Sequence, residues 1–245
     1  MYRGATDSGI KIPTNGLLIN YDAAQLRSYP GSGNIITDLS GRGNNGTLTN
    51  GPTFSSLRGG SILVDGVDDY INLGNWNSGV NVSLYYLTFI VWLRQSYQLG
   101  ACGILAGYIN NPPTGGYGAY FQFNNGGGTQ TLQFGAIRTF TGQNFSLSST
   151  TNIPWDTDTM VAATFDPAAT GYGNIYINGV LDKSAFLFTS SIIDITGQPY
   201  RIASGTTGTP FFKGYIYSAQ VYSVALTATE IKQYYDATKT RFGLS

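Results

Sequence analysis

The sequence predicts an all-β protein, an antiparallel β-sandwich with one short C-terminal helix, and three observations carry that expectation. Short runs rich in β-branched and aromatic residues recur along all 245 residues, each bounded by Gly, Asn, Asp, Pro or Ser. Many strands joined by short turns give an antiparallel sandwich or barrel. Only one segment, close to the C-terminus, shows helical spacing.

In chain order the strand candidates are GLLINYDA, SILVDG, DYINLG, LTFIVWLRQ, GILAGYI, GAYFQF, LQFGAI, MVAATFD, GNIYINGVL, YRIAS and FFKGYIYSAQVYS. In the last of these, alternation sets Tyr215, Tyr217 and Ala219 on one face and Ile216, Ser218 and Gln220 on the other. Asn178-Gly179 suits a two-residue hairpin turn, because both residues tolerate positive φ. NNGTLTNGP and NNGGGTQ read as flexible loops, and NNPPTGGYG as a stiffened one. In LTATEIKQYYDATK, Thr227 followed by Glu230 is a capping box, and Ile231, Tyr234 and Tyr235 share the spacing of a buried helical face. No loop is long enough to link two domains. The chain therefore reads as an amino-terminal arm over residues 1–13, one domain over 14–238 and a tail over 239–245.

Composition narrows the function. Apolar residues make up 42% and charged residues 11%, against roughly 25% charged in an ordinary soluble protein. The core is ample and the surface uncharged, rich in Gly, Thr, Ser, Asn and Tyr. A formal charge of zero and thirteen scattered Lys and Arg leave no basic face for a phosphate backbone, so nucleic acid is not expected as a partner. No run approaches the roughly 18 apolar residues of a membrane helix, and MYRGATDSGIKIP has no signal-type hydrophobic stretch. A soluble chain without membrane insertion, made in a host cytoplasm and not secreted by the general route, is expected. Cys102 is the only cysteine and reads as a small buried strand residue. Histidine is absent, which removes Ser-His-Asp and Cys-His nucleophiles and imidazole zinc sites.

GLLINYDAA, DLSGRGNNGTLTNGPTF, LVDGVDDYINLG, LTFIVWLR, WDTDTMVAATFD leading to IYINGVLD, and FFKGYIYSAQVYSVALTATEI occur in this order over about residues 16–237. Together they resemble the LamG-like jelly rolls of the concanavalin A-like lectin and glucanase superfamily. The set is also similar to stand-alone LamG-like proteins of tailed bacteriophages, including the ending ATKTRFGL. The resemblance implies a concanavalin A-like jelly roll. It carries over nothing catalytic: Thr159-Met160 stands where relatives often have histidine, and the Glu-x-Asp-x-x-Glu strand of laminarinase-type relatives is missing.

Three functions follow in order of preference. The first is a non-enzymatic surface protein of a tailed phage virion, a capsid decoration or tail component, docking on other subunits and forming a homo-oligomer or lattice. Low charge, abundant aromatics and short arms suit such a surface. The alternative is a lectin for cell-surface glycans, with Tyr108, Asn110, Asn111, Tyr117 and Tyr120 around the Pro-Gly loop, Asn124 and Asn125 beyond, and Arg94 and Arg138 placed for a carboxylated sugar, a partner acid or plain solvation. The remote alternative is a glycoside hydrolase, which needs two carboxylates about 5 Å apart. Glu230 is the only glutamate and caps a helix, leaving Asp156 with Asp158 or Asp68 with Asp69. In SILVDGVDDYINLG, Asp65-Gly66 makes a turn between strands, with Ile62 and Val64 facing inward. Adjacent Asp68 and Asp69 repel each other, so a structural calcium held by some of Asp38, Asp65, Asp68 and Asp69, with Asn44 nearby, is weighed against simple capping of turn amides.

Overall fold

Alternating apolar and polar residues give each strand one side to bury. In the computed structural model, which describes residues 12–75, 83–84, 86–98, 100–109, 117–124, 130–137, 144–166, 170–187, 193–194, 199–205 and 211–244, those sides meet between two antiparallel sheets. In chain order the strands are β1 (Leu17–Asp22), β2 (Ile35–Ile36), β3 (Gly46–Thr49), β4 (Thr53–Ser55), β5 (Ser61–Asp65), β6 (Tyr70–Asn75), β7 (Ser83–Leu84), β8 (Leu87–Gln95) and β9 (Cys102–Ile109). They continue with β10 (Tyr117–Asn124), β11 (Thr131–Ile137), β12 (Asn144–Ser148), β13 (Asp158–Asp166), β14 (Tyr172–Ile177), β15 (Val180–Phe186), β16 (Ile193–Asp194), β17 (Pro199–Ile202) and β18 (Lys213–Tyr222). Helix α1 spans Ala228–Thr238 and runs into a 3-10 turn, Lys239–Phe242.

One sheet has the order β15-β14-β13-β8-β18-β5-β4, with β1 also paired to β18; the other runs β12-β11-β10-β9-β17-β6-β3-β2. We call them the covered sheet and the open sheet. The main core lies between them, with Phe89, Val91, Leu93, Val161 and Phe165 from the covered sheet meeting Ile71, Ile104, Phe121, Leu132 and Phe134 from the open one. Phe134 sits at the middle, with ring centroids of Phe89 and Phe165 each 6.3 Å away. Cys102 is fully buried here, as expected, and accepts a hydrogen bond from Gln95 Nε2 at 3.0 Å. Burial pushes its thiol pKa up to about 12, with that hydrogen bond pulling the other way, so it is an inert packing residue.

A second apolar cluster seals the outer face of the covered sheet. Ile90, Trp92, Met160, Ala162, Tyr176 and Tyr217 pack under Ile231, Tyr234 and Phe242 from α1 and the last turn. The capping box forms as the sequence predicts: Thr227 Oγ1 accepts from Glu230 N at 3.2 Å, and Glu230 Oε2 accepts from Thr227 N at 2.8 Å. Residues 239–244, within the tail expected from sequence, pack against the covered sheet. Phe242 stacks on Trp92 with centroids 3.9 Å apart, and Arg241 pairs with Asp22 at 2.7 Å while donating to the Arg58 carbonyl. Residues 1–11 of the expected arm lie outside the described residues, and Pro13 accepts a hydrogen bond from Tyr222 Oη.

Two strand-level details correct simple alternation. The register of β18 slips between Ile216 and Ser218 against β8, so Ala219 points into the main core with Ile216 instead of sharing the face of Tyr215 and Tyr217. The Asp65-Gly66 turn does not close a hairpin within one sheet: β5 belongs to the covered sheet and β6 to the open one. The chain crosses the sandwich there, with Ile62 and Val64 buried as expected. The Asn178-Gly179 hairpin is as predicted, both residues at positive φ (49° and 78°), joining β14 to β15.

Candidate functional site

The outward side of the open sheet follows from its inward one. On β10 the core takes Ala119, Phe121 and Phe123, leaving Tyr120, Gln122 and Asn124 outside. By the same rule β11 presents Gln133 and Gly135, β17 presents Arg201, and β6 presents Tyr70 and Asn72. Register aligns these across the sheet: Asn72 faces Arg201, Arg201 faces Ala106, Ala106 faces Tyr120, and Tyr120 faces Gly135. Among the described residues no helix crosses this face; the short β7–β16 pair lies against β10.

The row is organised by short contacts. Tyr120 rests on Gly135, where a Cβ would come within 2.1 Å of its Cζ, so only glycine lets the ring lie down on β11. Gln122 Nε2 donates to Gln133 Oε1 at 2.8 Å, and Gln133 Nε2 donates to Ser146 Oγ at 3.3 Å. The guanidinium of Arg201 lies 4.5 Å from the centroid of the Tyr70 ring, which itself packs against Phe211. Aromatic planes, amides and a guanidinium thus share one surface.

The glycan residues expected from sequence do not all assemble. Tyr120 is on this face, and Asn124 is exposed at the same end of β10 as its neighbour Thr131 on β11. Tyr108 lies in β9 opposite Gly118, and Tyr117 in β10 opposite Ile109. Asn110, Asn111, Asn125 and Arg138 lie outside the described residues. Arg94 is a correction: β8 belongs to the covered sheet, so Arg94 stands on the far side of the sandwich from Tyr120. It sits 3.9 Å from Asp158, which also takes Arg58 Nε at 2.6 Å and Tyr217 Oη at 2.5 Å. Of the alternatives for Arg94, pairing with an acid is the one realised. Sequence reading missed Arg201, Tyr70, Gln122 and Gln133, although alternation in YRIAS and LQFGAI marks Arg201 and Gln133 as outward.

The acidic turn forms a second cluster. Carboxylate oxygens of Asp65, Asp68 and Asp69 lie within 4.8 Å of one another, beside a cleft of about 390 Å³ that also borders Asn50, Ser96 and Lys213. Asp65 Oδ1 accepts from Val67 N at 2.8 Å, and Asp69 Oδ2 accepts from Asp65 N at 3.1 Å. Asp69 is only 5% exposed. Burial raises its carboxyl pKa, the Asp65 amide draws it back, and the charges of Asp65 and Asp68 raise it further. Three carboxylates with oxygens to spare suit a hard cation such as calcium. Asp38 does not join them: it accepts from the amides of Asn20, Ser40 and Asn44 and from Ser40 Oγ, ordering its own turn with Asn44 as neighbour.

Of the carboxylates weighed for hydrolysis, Asp68 and Asp69 lie in the acidic turn, where Asp69 is only 5% exposed, and the other described candidates are engaged elsewhere. Asp158 is enclosed by two arginines and a tyrosine, Asp156 sits in a turn at φ 53°, and Glu230 is occupied by its cap.

Residues 65–232 match the family described as Concanavalin A-like lectin/glucanases superfamily. The chain belongs to this superfamily. Among solved structures, this lectin/glucanase-type sandwich is similar to the binding domain of Paraclostridial Mosquitocidal Protein 1 (TM-score 0.70, 15% identity, 94% of this chain and 56% of that one). It is similar to the receptor binding domain of botulinum neurotoxin C/D mosaic serotype (TM-score 0.66, 15% identity, 92% and 52%). It is also similar to Domain 4 of AbnA, a GH43 extracellular arabinanase from Geobacillus stearothermophilus, in complex with arabinotriose (TM-score 0.62, 18% identity, 89% and 97%). The chain spans about half the length of the two toxin domains. At these identities the likeness shows the fold alone. No curated protein sequence matches the chain.

Proposed function

We propose that this protein is a non-enzymatic carbohydrate-binding module whose ligand lies on the open sheet. One observation carries the reading: α1 and the last turn seal the outer face of one sheet, whereas the other sheet presents Tyr120, Gln122, Gln133 and Arg201 side by side. Saccharides are held by aromatic planes against C–H groups and by amides that exchange hydrogen bonds with hydroxyls, and this row supplies both. Its fold neighbours are binding domains, and Domain 4 of AbnA is seen with arabinotriose. Glycan-array binding of the purified protein, with calcium and with chelator and with circular dichroism confirming the fold, tests the proposal; silence in both conditions with an intact sandwich contradicts it. In the same reading, Asp65, Asp68 and Asp69 would hold a structural calcium that removes their mutual repulsion, and a melt insensitive to chelator counts against that ion.

A second reading, a capsid-decoration or tail protein on the surface of a tailed phage that docks on other subunits or on its own copies, has one observation in its favour. The edge strand β15 exposes Val180, Leu181 and Phe186, with Tyr172 of β14 edge-on to Phe186 at 5.9 Å. Exposed apolar edges are surfaces for strand addition or subunit contact. Absence of the protein from purified particles of its source contradicts this setting. The two readings are compatible, since a virion protein can carry a glycan-binding face.

A further inference from the structure

On the covered face Arg58, Arg94 and Arg241 are each paired. Arg58 and Arg94 meet Asp158, and Arg241 meets Asp22, so each of these guanidinium groups has a carboxylate within 4.0 Å. Arg201 differs. It lies on an inner strand of the open sheet, between β6 and β9, and among the described residues no carboxylate pairs with it. Its neighbours in register, Asn72 and Ala106, carry no charge, and its recorded contact is with the face of Tyr70. Stacking on an aromatic ring fixes the guanidinium plane but leaves its N–H donors for an outside acceptor.

From this geometry we propose, resting on the carbohydrate-binding reading, that the open face selects saccharides bearing a carboxylate, with Arg201 taking the carboxylate and Tyr120 the sugar ring. The spacing fits. Arg201 and Tyr120 flank Ala106 on adjacent strands, two strand intervals apart, or about 10 Å between backbones. Ala106 between them is itself only 4% exposed, so a sugar spanning the interval would rest on the side chains of Arg201 and Tyr120, whose ring lies on Gly135 at the far side. Asn72 beside Arg201 and the Gln122–Gln133 pair beyond Tyr120 supply amides for hydroxyls. A planar guanidinium binds a carboxylate through two parallel hydrogen bonds, which a lysine cannot reproduce. On a surface with so few charges, that interaction decides which sugars are preferred.

The test is an array of uronate- and sialate-bearing glycans, each printed beside its carboxyl-reduced counterpart and probed with the 245-residue chain, Arg201→Gln and Arg201→Lys. The expected result is a preference of about tenfold or more for the acidic member of a pair. That preference should fall to near one in Arg201→Gln and be only partly kept in Arg201→Lys, with unchanged circular dichroism. Equal binding to both members, or a preference that survives Arg201→Gln, overturns the inference while leaving a carbohydrate-binding module in place. Binding to no glycan of either kind overturns both.

Discussion

At the scale of single residues, glycine positions separate fold from site. A Cβ at Gly103 would lie 2.3 Å from the backbone of Ser204 and Gly205, and backbone cannot move aside. Gly103→Ala is therefore expected to cost about 3 kcal/mol or more, read as a collapse of the melting temperature or loss of soluble protein. The atoms nearest a Cβ at Gly135 belong to the side chain of Tyr120, which can swing away where backbone cannot. Gly135→Ala should keep the melting temperature within a few degrees yet weaken saccharide binding, because the platform is displaced. Equal loss of stability in the two variants would contradict this separation. The acidic turn gives another residue-level test. Asp69 has a raised pKa, so its ionisation opposes folding above that pKa, and the penalty is lifted as pH falls through it. In chelator at pH 7, Asp68→Asn should raise the melting temperature by about 1–3 °C, and calcium should stabilise the wild type more than the variant. Asp69 was legible in the sequence as one of three clustered acids. For Asp38 the sequence left ion binding and capping of turn amides open, and only the folded chain shows its oxygens taken by the amides of Asn20, Ser40 and Asn44.

The elements show what periodicity can and cannot give. Helix α1 was legible down to its cap, since Thr227 and Glu230 satisfy each other locally. The turn after it was not, because its order comes from a distant partner: Phe242 is buried by stacking on Trp92 of β8, and Trp92 Nε1 also donates to Thr238 Oγ1 at 2.8 Å. Phe242→Ala should cost about 3 kcal/mol or more, lowering the melting temperature by about 10 °C and exposing Trp92 to quenchers. A melting temperature unchanged by that substitution would mean that the last turn does not seal the sheet. At the edge strand of the covered sheet, Asp182 of β15 accepts from the amides of Thr150 and Thr151 at 2.6 and 3.1 Å, joining the margins of the two sheets. Burial works against its charge, but the hydrogen bonds from Thr151 and Thr150 outweigh it and hold the carboxyl below its usual value. A depressed pKa contributes stability that is present above the unfolded value, near 3.8, and lost as pH falls through the folded one. The drop in melting temperature between about pH 5 and pH 2 should be shallower in Asp182→Asn than in the wild type.

For the whole molecule, fold and function differ in how far sequence reaches. An all-β sandwich with one helix could be read from strand runs and turns because each is encoded within a few residues. Which sheet each strand joins could not, since β5 and β6 are adjacent in sequence and lie in different layers. The candidate site suffers from the same gap. Tyr120 was singled out from a loop-rich neighbourhood, but Arg201, more than eighty positions further along the chain, joins it only through the β17–β9–β10 register. Arg94, equally plausible in sequence, lands on the sealed side with Asp158. The central claim is that one sheet is covered and the other is the ligand face. Its most direct test is to titrate isotope-labelled protein with an array-selected saccharide and record the backbone amide shifts. The expected result is perturbation around Tyr120, Gln133 and Arg201 with Trp92 and Phe242 unmoved; shifts confined to the α1 side or the β15 edge, or no saccharide that binds, would contradict it.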